Sequence, residues 1–358
     1  MNEEEHFFQD RKEEKRERKM ASKTDRSKYK KTDFEKREAL VQESLRKKMS
    51  QKNLHRGHVL SIMPEEILVE CDHVLYKCVL KGILKREMGR IKNLVVVGDF
   101  VLFDHKTLAI FFIEKRTSFL SKRAPIQDKK EQYIASNIDY VIITASVVSP
   151  PLNLPLIDRY IIATRKGNME PLIVINKIDL LEAHPEEKSL FEKACAIYTK
   201  LNISIIGVSA KTGESIAFLK SKMANHSAVF AGESGVGKTS LINIVAELNL
   251  ATKEVAEKIQ RGTHTTTSAS LIPLAFGGFC IDTPGIQKFG IWDLKREDLD
   301  HYFPEISEVG RRCHYLNCTH THEPECAVRE AILKNEISAL RLASYFCLIE
   351  EIPLSSKY

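Results

Sequence analysis

Apolar and polar positions change rhythm several times along this chain. Residues 1–53 contain no Gly and no Pro, and runs such as Arg11-Lys12-Glu13-Glu14-Lys15-Arg16 leave no apolar stripe. Such a segment cannot fold onto a core by itself, so a charged helix or a flexible arm is expected. From about Leu54 the pattern becomes short β-like runs: 58–62, 67–71, 74–80, 94–97, 100–103 and 108–113, with Gly98-Asp99 marking a tight turn. Five or six short strands in so few residues predict a small barrel, with an OB-fold as the candidate. Residues 116–130 are basic and irregular (Arg116, Lys122, Arg123, Lys129, Lys130) and read as a linker or surface loop. Strand-like apolar runs then alternate with helical ones. Ile138–Ala145, Pro171–Ile175, Ile203–Val208, Ser227–Ala231 and Phe279–Ile281 read as strands, and Leu156–Lys166, Pro185–Lys200 and Ser240–Val245 as helices. That alternation predicts an α/β domain around a parallel sheet. A last helical periodicity runs from Ala327 to Ile349.

Composition adds limits. At 358 residues, two or three domains are expected. No apolar run reaches the roughly 18 residues of a membrane helix, and the first residues lack the apolar region of a secretion signal. A cytoplasmic protein with no membrane partner is therefore expected. The net charge of +6 is unevenly placed: residues 1–56 hold 18 Lys/Arg against 12 Asp/Glu, and the remaining 36 basic and 36 acidic residues cancel. All the excess sits on the first segment, which suits either a polyanion or solvent. Of the eight cysteines, Cys313, Cys318 and Cys326 cluster near histidines, whereas Cys71, Cys78, Cys195, Cys280 and Cys347 read as reduced core or half-buried thiols.

The candidate chemistry centres on Gly232-Glu233-Ser234-Gly235-Val236-Gly237-Lys238-Thr239, a G-x-x-x-x-G-K-T loop between a strand and a helix that opens with Ser240. Its backbone N–H groups would cradle phosphate oxygens at the positive end of a helix dipole. Lys238 would reach the β- and γ-phosphates, and the Thr239 hydroxyl would ligate Mg2+. Upstream, Asn176-Lys177-Ile178-Asp179 ends a strand, and Ser209-Ala210-Lys211 ends the next. A carboxylate there accepts from the guanine ring N–H and exocyclic amine, which adenine cannot supply, and such a site discriminates strongly. Downstream, Arg261-Gly262-Thr263-His264-Thr265-Thr266-Thr267 offers threonines that would complete Mg2+ coordination and sense the γ-phosphate. Asp282-Thr283-Pro284-Gly285 would hold Mg2+ through water with Asp282 and contact the γ-phosphate through the Gly285 N–H. Finally, Cys313-x4-Cys318-x-His320-x5-Cys326 offers three thiolates and an imidazole. That set suits a closed, tetrahedral and therefore structural Zn2+ site, although His314 and His322 are equally near in sequence.

All five GTPase motifs are present, but the base-binding pair precedes the phosphate loop. With β-strands in front and a cysteine cluster behind, residues 54–350 resemble the ribosome small subunit-dependent GTPase family, RsgA or YjeQ, whose GTPase domain is circularly permuted. The resemblance implies an OB-fold barrel at 54–117 after the arm at 1–53, a permuted P-loop GTPase domain at 118–292, and a C-terminal helical zinc-binding domain at 293–358. It also selects His320 as the fourth zinc ligand. The implied activity is Mg2+-dependent hydrolysis of GTP to GDP during late maturation of the small ribosomal subunit, which stimulates it. The implied partners are that subunit and its rRNA, bound by a monomer. Ile286 stands where Ras-like enzymes carry a water-orienting glutamine. His264, with Lys238, is the catalytic candidate, and Gln287 a weaker substitute. Two other classes compete: a P-loop enzyme acting on a small metabolite, and an RNA-binding scaffold with a degenerate nucleotide site. The guanine motif opposes the first, and the intact Lys238, Thr239 and Asp282 oppose the second.

Overall fold

A computed structural model describes residues 54–81, 94–122, 132–246, 270–282, 296–316 and 318–352. The first strands are β1 (His55–Ile62), β2 (Ile67–Cys71), β3 (Val74–Leu80), β4 (Phe100–Asp104) and β5 (Ala109–Ile113). They pair in the order β1-β2-β3-β5-β4, and β4 returns to β1, so the barrel is closed. Val59, Val69, Val101, Phe103 and Ile110 fill its interior. The β2–β3 hairpin turns on Asp72 and His73, both at positive φ, as a two-residue loop that follows strand twist requires. A Cβ on Gly57 would lie 2.2 Å from Val69 Cγ1, so a side chain there would push β1 and β2 apart. The arm expected at 1–53 lies outside the described residues. After β4 the Asp104 carboxylate closes a turn by accepting from Lys106 N at 2.8 Å and Thr107 Oγ1 at 3.0 Å.

Two expectations in this region are corrected. Residues 94–97, of which Val95, Val96 and Val97 are buried, form only an isolated bridge, Val97 to Ala135, rather than a strand. The cause is Asp99, fully buried, whose carboxylate takes the Val96 N–H at 2.8 Å and Ser136 Oγ at 2.6 Å. The basic segment expected to be a linker instead supplies β6 (Phe119–Lys122), which pairs antiparallel with β7 (Gln132–Ser136). Arg116 is not a surface charge: its Nε and Nη2 donate to the two oxygens of Asp99 at 2.7 and 2.9 Å, and Nη2 also to Leu94 O.

The second half of the sheet is α/β. Strands β10 (Ser204–Gly207), β9 (Glu170–Asn176), β8 (Tyr140–Ser146), β11 (Ser227–Ala231) and β13 (Phe279–Asp282) are parallel, and β12 (Ser270–Pro273) runs antiparallel to β13. Strand β12 also pairs with β1 at Ser61↔Ser270, joining sheet to barrel. Period two divides β8: Val141, Ile143 and Ala145 face one core and Ile142 the other. The first core is covered by α1 (Leu154–Lys166) and α2 (Pro185–Lys200), the second by α3 (Ile216–Met223) and α4 (Lys238–Val245). Helix α1 starts where Asn153 Oδ1 accepts the Leu156 N–H at 3.2 Å, which satisfies one orphan donor of the first turn.

Beyond the sheet, α5 (Arg296–Tyr302), α6 (Pro304–Gly310), α7 (Ala327–Leu333) and α8 (Ala339–Glu351) share a third core with Ile162 of α1. The periodicity over Ala327–Ile349 is thus two helices. Asn335 takes φ 57, and Glu336 N returns to Ala331 O at 2.8 Å, closing α7 before Ser338 caps α8. Cys71, Cys78 and Cys280 are buried and Cys195 half-buried, as expected, but Cys347 is exposed on α8. No helix among the described residues is long and apolar enough to cross a membrane.

Breaking a buried ion pair costs about 3–5 kcal/mol, whereas exposed pairs are worth at most about 1 kcal/mol. Chemical denaturation should therefore show a loss of that larger size in Asp99→Ala. Glu114→Gln, which removes the exposed Arg56–Glu114 pair, should change stability by less than about 1 kcal/mol.

Candidate functional site

The loop from Gly232 to Gly237 leaves β11 and enters α4. Two of its glycines are obligatory for space as well as backbone. Gly232 has φ 145 and a Cβ there would meet Thr144 O at 2.1 Å; Gly237 has φ 94 and its Cβ would meet Asn176 Nδ2 at 2.3 Å. Lys238 Nζ folds back inside the loop, donating to Gly232 O at 2.9 Å and to Glu233 O. Burial lowers its pKa, opposed by Glu233. Ser234, Gly235, Thr239 and Ser240 are exposed along the rim, while Val236 is buried beneath it.

Asn176 draws the other motifs to this loop. It ends β9 and is buried. Its Nδ2 donates to Val236 O at 2.9 Å, and its Oδ1 accepts from Lys177 N at 2.8 Å and Ala210 N at 3.0 Å. Lys177 stands at φ 68, and its Nζ donates to Gly235 O at 2.8 Å, to Ser149 O and to Val148 O. Asp179 lies in the first turn of a short 3-10 helix (Ile178–Ala183), and its Oδ1 accepts from the buried Ser209 Oγ at 2.6 Å. That hydroxyl in turn accepts from Thr212 N at 3.1 Å. The structure therefore brings together Asn176, Lys177, Asp179, Ser209, Ala210 and the phosphate loop. Asp282 ends β13 opposite Ser270. His264, Thr265, Thr266, Gly285, Ile286 and Gln287 lie outside the described residues.

Sequence reading missed the neighbourhood of the loop on its α1 side. A small pocket, open to solvent, lies between Glu233 and Val236 of the loop and Leu156, Ile157 and Tyr160 of α1. Nothing in the local pattern of α1 signals it, because the wall is assembled from elements distant in sequence.

The second site is Cys313, Cys318, His320 and Cys326, whose ligand atoms all lie within 4.8 Å of one another. His320 Nδ1 is 3.7 Å from Cys313 Sγ and 3.5 Å from Cys326 Sγ, and those sulfurs are 3.9 Å apart. Bonds of about 2.3 Å to sulfur and about 2.0 Å to nitrogen give tetrahedral edges of about 3.5–3.8 Å, so the donor set and spacing fit Zn2+. The alternatives stand aside: His314 faces Glu325 at 3.5 Å, and His322 Nδ1 faces Thr321 Oγ1 at 2.8 Å. Glu323, which sequence reading gave no role, ties the His320 loop by accepting from Thr319 N at 2.8 Å, Thr321 N at 3.1 Å and His322 N at 3.3 Å. The Thr319 hydroxyl, which donates to Glu323 Oε1 at 2.5 Å, and then the Thr319 N–H hold its carboxyl well below the usual range.

Comparison with known proteins agrees with this geometry. The family model for RsgA GTPase matches residues 113–292, half of the chain. A Bacteroides fragilis protein named small ribosomal subunit biogenesis GTPase RsgA is 34% identical over 284 residues, covering 78% of this chain and 91% of that protein. The chain belongs to the RsgA GTPase family. A Chlorobaculum parvum RsgA of the same name is 38% identical over 272 residues, covering 73% of this chain and 86% of that protein. The crystal structure of YjeQ from Thermotoga maritima superposes with a TM-score of 0.66 at 31% identity, over 84% of this chain and 98% of that one. YloQ, described as a circularly permuted GTPase, gives 0.64 at 25% identity over 84% and 95%. An RsgA GTPase uses guanine nucleotide and Mg2+ in hydrolysing GTP, and the strand order seen here, base loops before phosphate loop, is the permuted one.

Because a Gly237 side chain would displace Asn176, Gly237→Ala should weaken GDP binding by calorimetry at least about tenfold, the effect of 1.4 kcal/mol. Asn176→Ala should weaken it similarly, by releasing Val236 and Ala210 together.

Proposed function

We propose that this chain hydrolyses GTP while bound to the small ribosomal subunit during late maturation, its GTP or GDP state setting its hold on rRNA. The supporting observation is the Asn176 amide, which seats the base-recognition loops against the phosphate loop. In this reading Asp179 accepts from the guanine ring N–H and amine, with Ser209 holding its other side, and the Ala210 loop lies at the guanine carbonyl. The backbone from Gly232 to Ser240 surrounds the phosphates. Lys238, already inside the loop, exchanges its carbonyl partners for phosphate oxygens. Mg2+, when bound, supplies charge neutralisation on the β- and γ-phosphates; Thr239, Thr265, Thr266 and Asp282 are the residues to hold it, with the Gly285 N–H on the γ-phosphate. Ile286 cannot orient water, so His264 or a group from the subunit does so, and turnover is slow without the partner. Cys313, Cys318, His320 and Cys326 hold one structural Zn2+, since four protein ligands leave no open position. The 1–53 arm, the barrel at 54–117, the nucleotide domain at 118–292 and the zinc domain at 293–358 act as a cytoplasmic monomer.

Hydrolysis of GTP and ATP by purified protein, with and without small subunits, tests this reading. GTP should be preferred, and subunits should accelerate its turnover. Turnover of about 1–100 s⁻¹ by the protein alone, the range of kinases, would contradict it, as would equal subunit affinity in the GTP and GDP states. Zinc removal by a strong chelator, or Cys318→Ser, should lower the melting temperature of the C-terminal helices while leaving GDP affinity within about twofold, because the metal contributes to folding rather than to the nucleotide site.

A further inference from the structure

Two acids share one base in the interior where α1 meets the C-terminal helices. Asp158 of α1 is 1% exposed and Arg341 of α8 is 4% exposed. Arg341 Nη1 donates to Asp158 Oδ1 at 2.5 Å, and its Nε donates to Glu305 Oε1 of α6 at 2.6 Å. Tyr198 of α2 donates its hydroxyl to the same Asp158 Oδ1 at 2.9 Å, and Phe303 stacks its ring 4.1 Å from the guanidinium carbon. Two carboxylates against one guanidinium would leave one negative charge without compensation in a largely buried space. Such a charge is strongly disfavoured, and the usual outcome is uptake of a proton.

A second observation concerns the remaining lone pairs. Asp158 Oδ2 and Glu305 Oε2 are buried carboxylate oxygens with no donor within hydrogen-bond distance, and the Ser344 hydroxyl is the polar group that lies beside Asp158. Orphaned buried polar atoms are uncommon and call for an occupant. Here the acceptors lack a donor, and one added proton supplies it. We infer that the Asp158–Glu305–Arg341 cluster is a binding site for one further proton, carried on the Asp158 carboxyl at Oδ2, which leaves the cluster electrically neutral. Asp158 is the bearer because it is the deeper acid; the Glu305 side chain is 19% exposed.

The groups facing Asp158 are Arg341 and Ser344 from α8, Glu305 from α6 and Tyr198 from α2. Burial pushes its pKa up, opposed by Arg341, Ser344 and Tyr198 and reinforced by Glu305. Tyr198, raised well above its ordinary value chiefly by burial, remains a neutral donor. The sign follows from linkage. A carboxyl whose folded-state pKa lies above the unfolded value stabilises fully at low pH and loses that contribution as pH rises through the folded value. Docking of the C-terminal helices on α1 therefore weakens with rising pH. The helix concerned also walls the pocket beside the phosphate loop, through Leu156, Ile157 and Tyr160.

Thermal unfolding of the full chain across a pH series tests this, with Asp158→Asn as the neutral isostere of the protonated acid. Asp158→Asn should melt at the wild-type temperature or above, with an advantage that grows as pH rises. Glu305→Gln should be tolerated, since Asp158 then ionises against Arg341, whereas the double variant strands Arg341 and should melt roughly 10 °C lower. A drop of that size in Asp158→Asn alone, at every pH, would mean an ionised Asp158 and overturn the proposal. The infrared carbonyl band of a protonated carboxylic acid should be present in the wild type and lost in Asp158→Asn. Its absence from the wild type would overturn the proposal even if the variant failed to fold. Exchange of Na+ for K+ or a bulky organic cation should leave the melting temperature unchanged; a cation-specific shift that disappears in Asp158→Asn would identify a metal ion in place of the proton.

Discussion

One buried side-chain amide sets the geometry of the nucleotide site. Asn176 spends its donor on Val236 and its acceptor on Lys177 and Ala210, so the base loops and the phosphate loop cannot be displaced separately. A buried amide with those bonds broken would carry the full desolvation penalty of its unpaired atoms. The constraint also explains the glycine at 237, where any side chain would occupy the place of the amide. Lys177, crossing to Gly235 and Ser149, adds a second tie between the same segments. Among the described residues, these bonds fix the base loops and the phosphate loop against one another.

The nucleotide site and the cysteine knot were legible because their chemistry depends on residue type at short, fixed spacing. Gly232–Thr239, Asn176–Asp179 and Cys313–Cys326 could be read from the chain alone, and so could the strands and helices with clean periods of two and 3.6. What escaped depends on partners distant in sequence. Arg116 sits among lysines and looked like surface charge, since nothing local announces Asp99 as its partner. Residues 94–97 had the apolar content of a strand, but the same Asp99 claims a backbone donor that a ladder would need. Asp158 interrupts an apolar helix for a partner on α8 that no window of sequence could contain. The division of Ala327–Ile349 was hidden because apolar residues continue on both sides of Asn335.

The Cys3His cluster and the sheet meet through α1, which contributes Ile162 to the C-terminal core and Ile157 and Ile161 to the first core of the sheet. Helices in packed cores shift between discrete arrangements rather than bending continuously. Helix α1 holds α8 through the Asp158–Arg341 pair in the first turn of that helix. On the other flank, His58 of β1 stacks on Phe100 at 4.6 Å and meets Phe279 of β13 edge-on at 5.0 Å. Burial pushes its pKa down to about 4, so the ring packs there as a neutral aromatic.

The pairing of Ser61 with Ser270 has a consequence for how the chain can be divided. Strand β12 is covered on one side by β13 and on the other by the barrel's β1. A nucleotide-binding fragment expressed without the barrel would present β12 as a bare edge, with backbone donors and acceptors open to any other strand. The barrel is thus a guard against self-association as well as a neighbour, and solubility, rather than GTP chemistry, would be the first property lost on its removal.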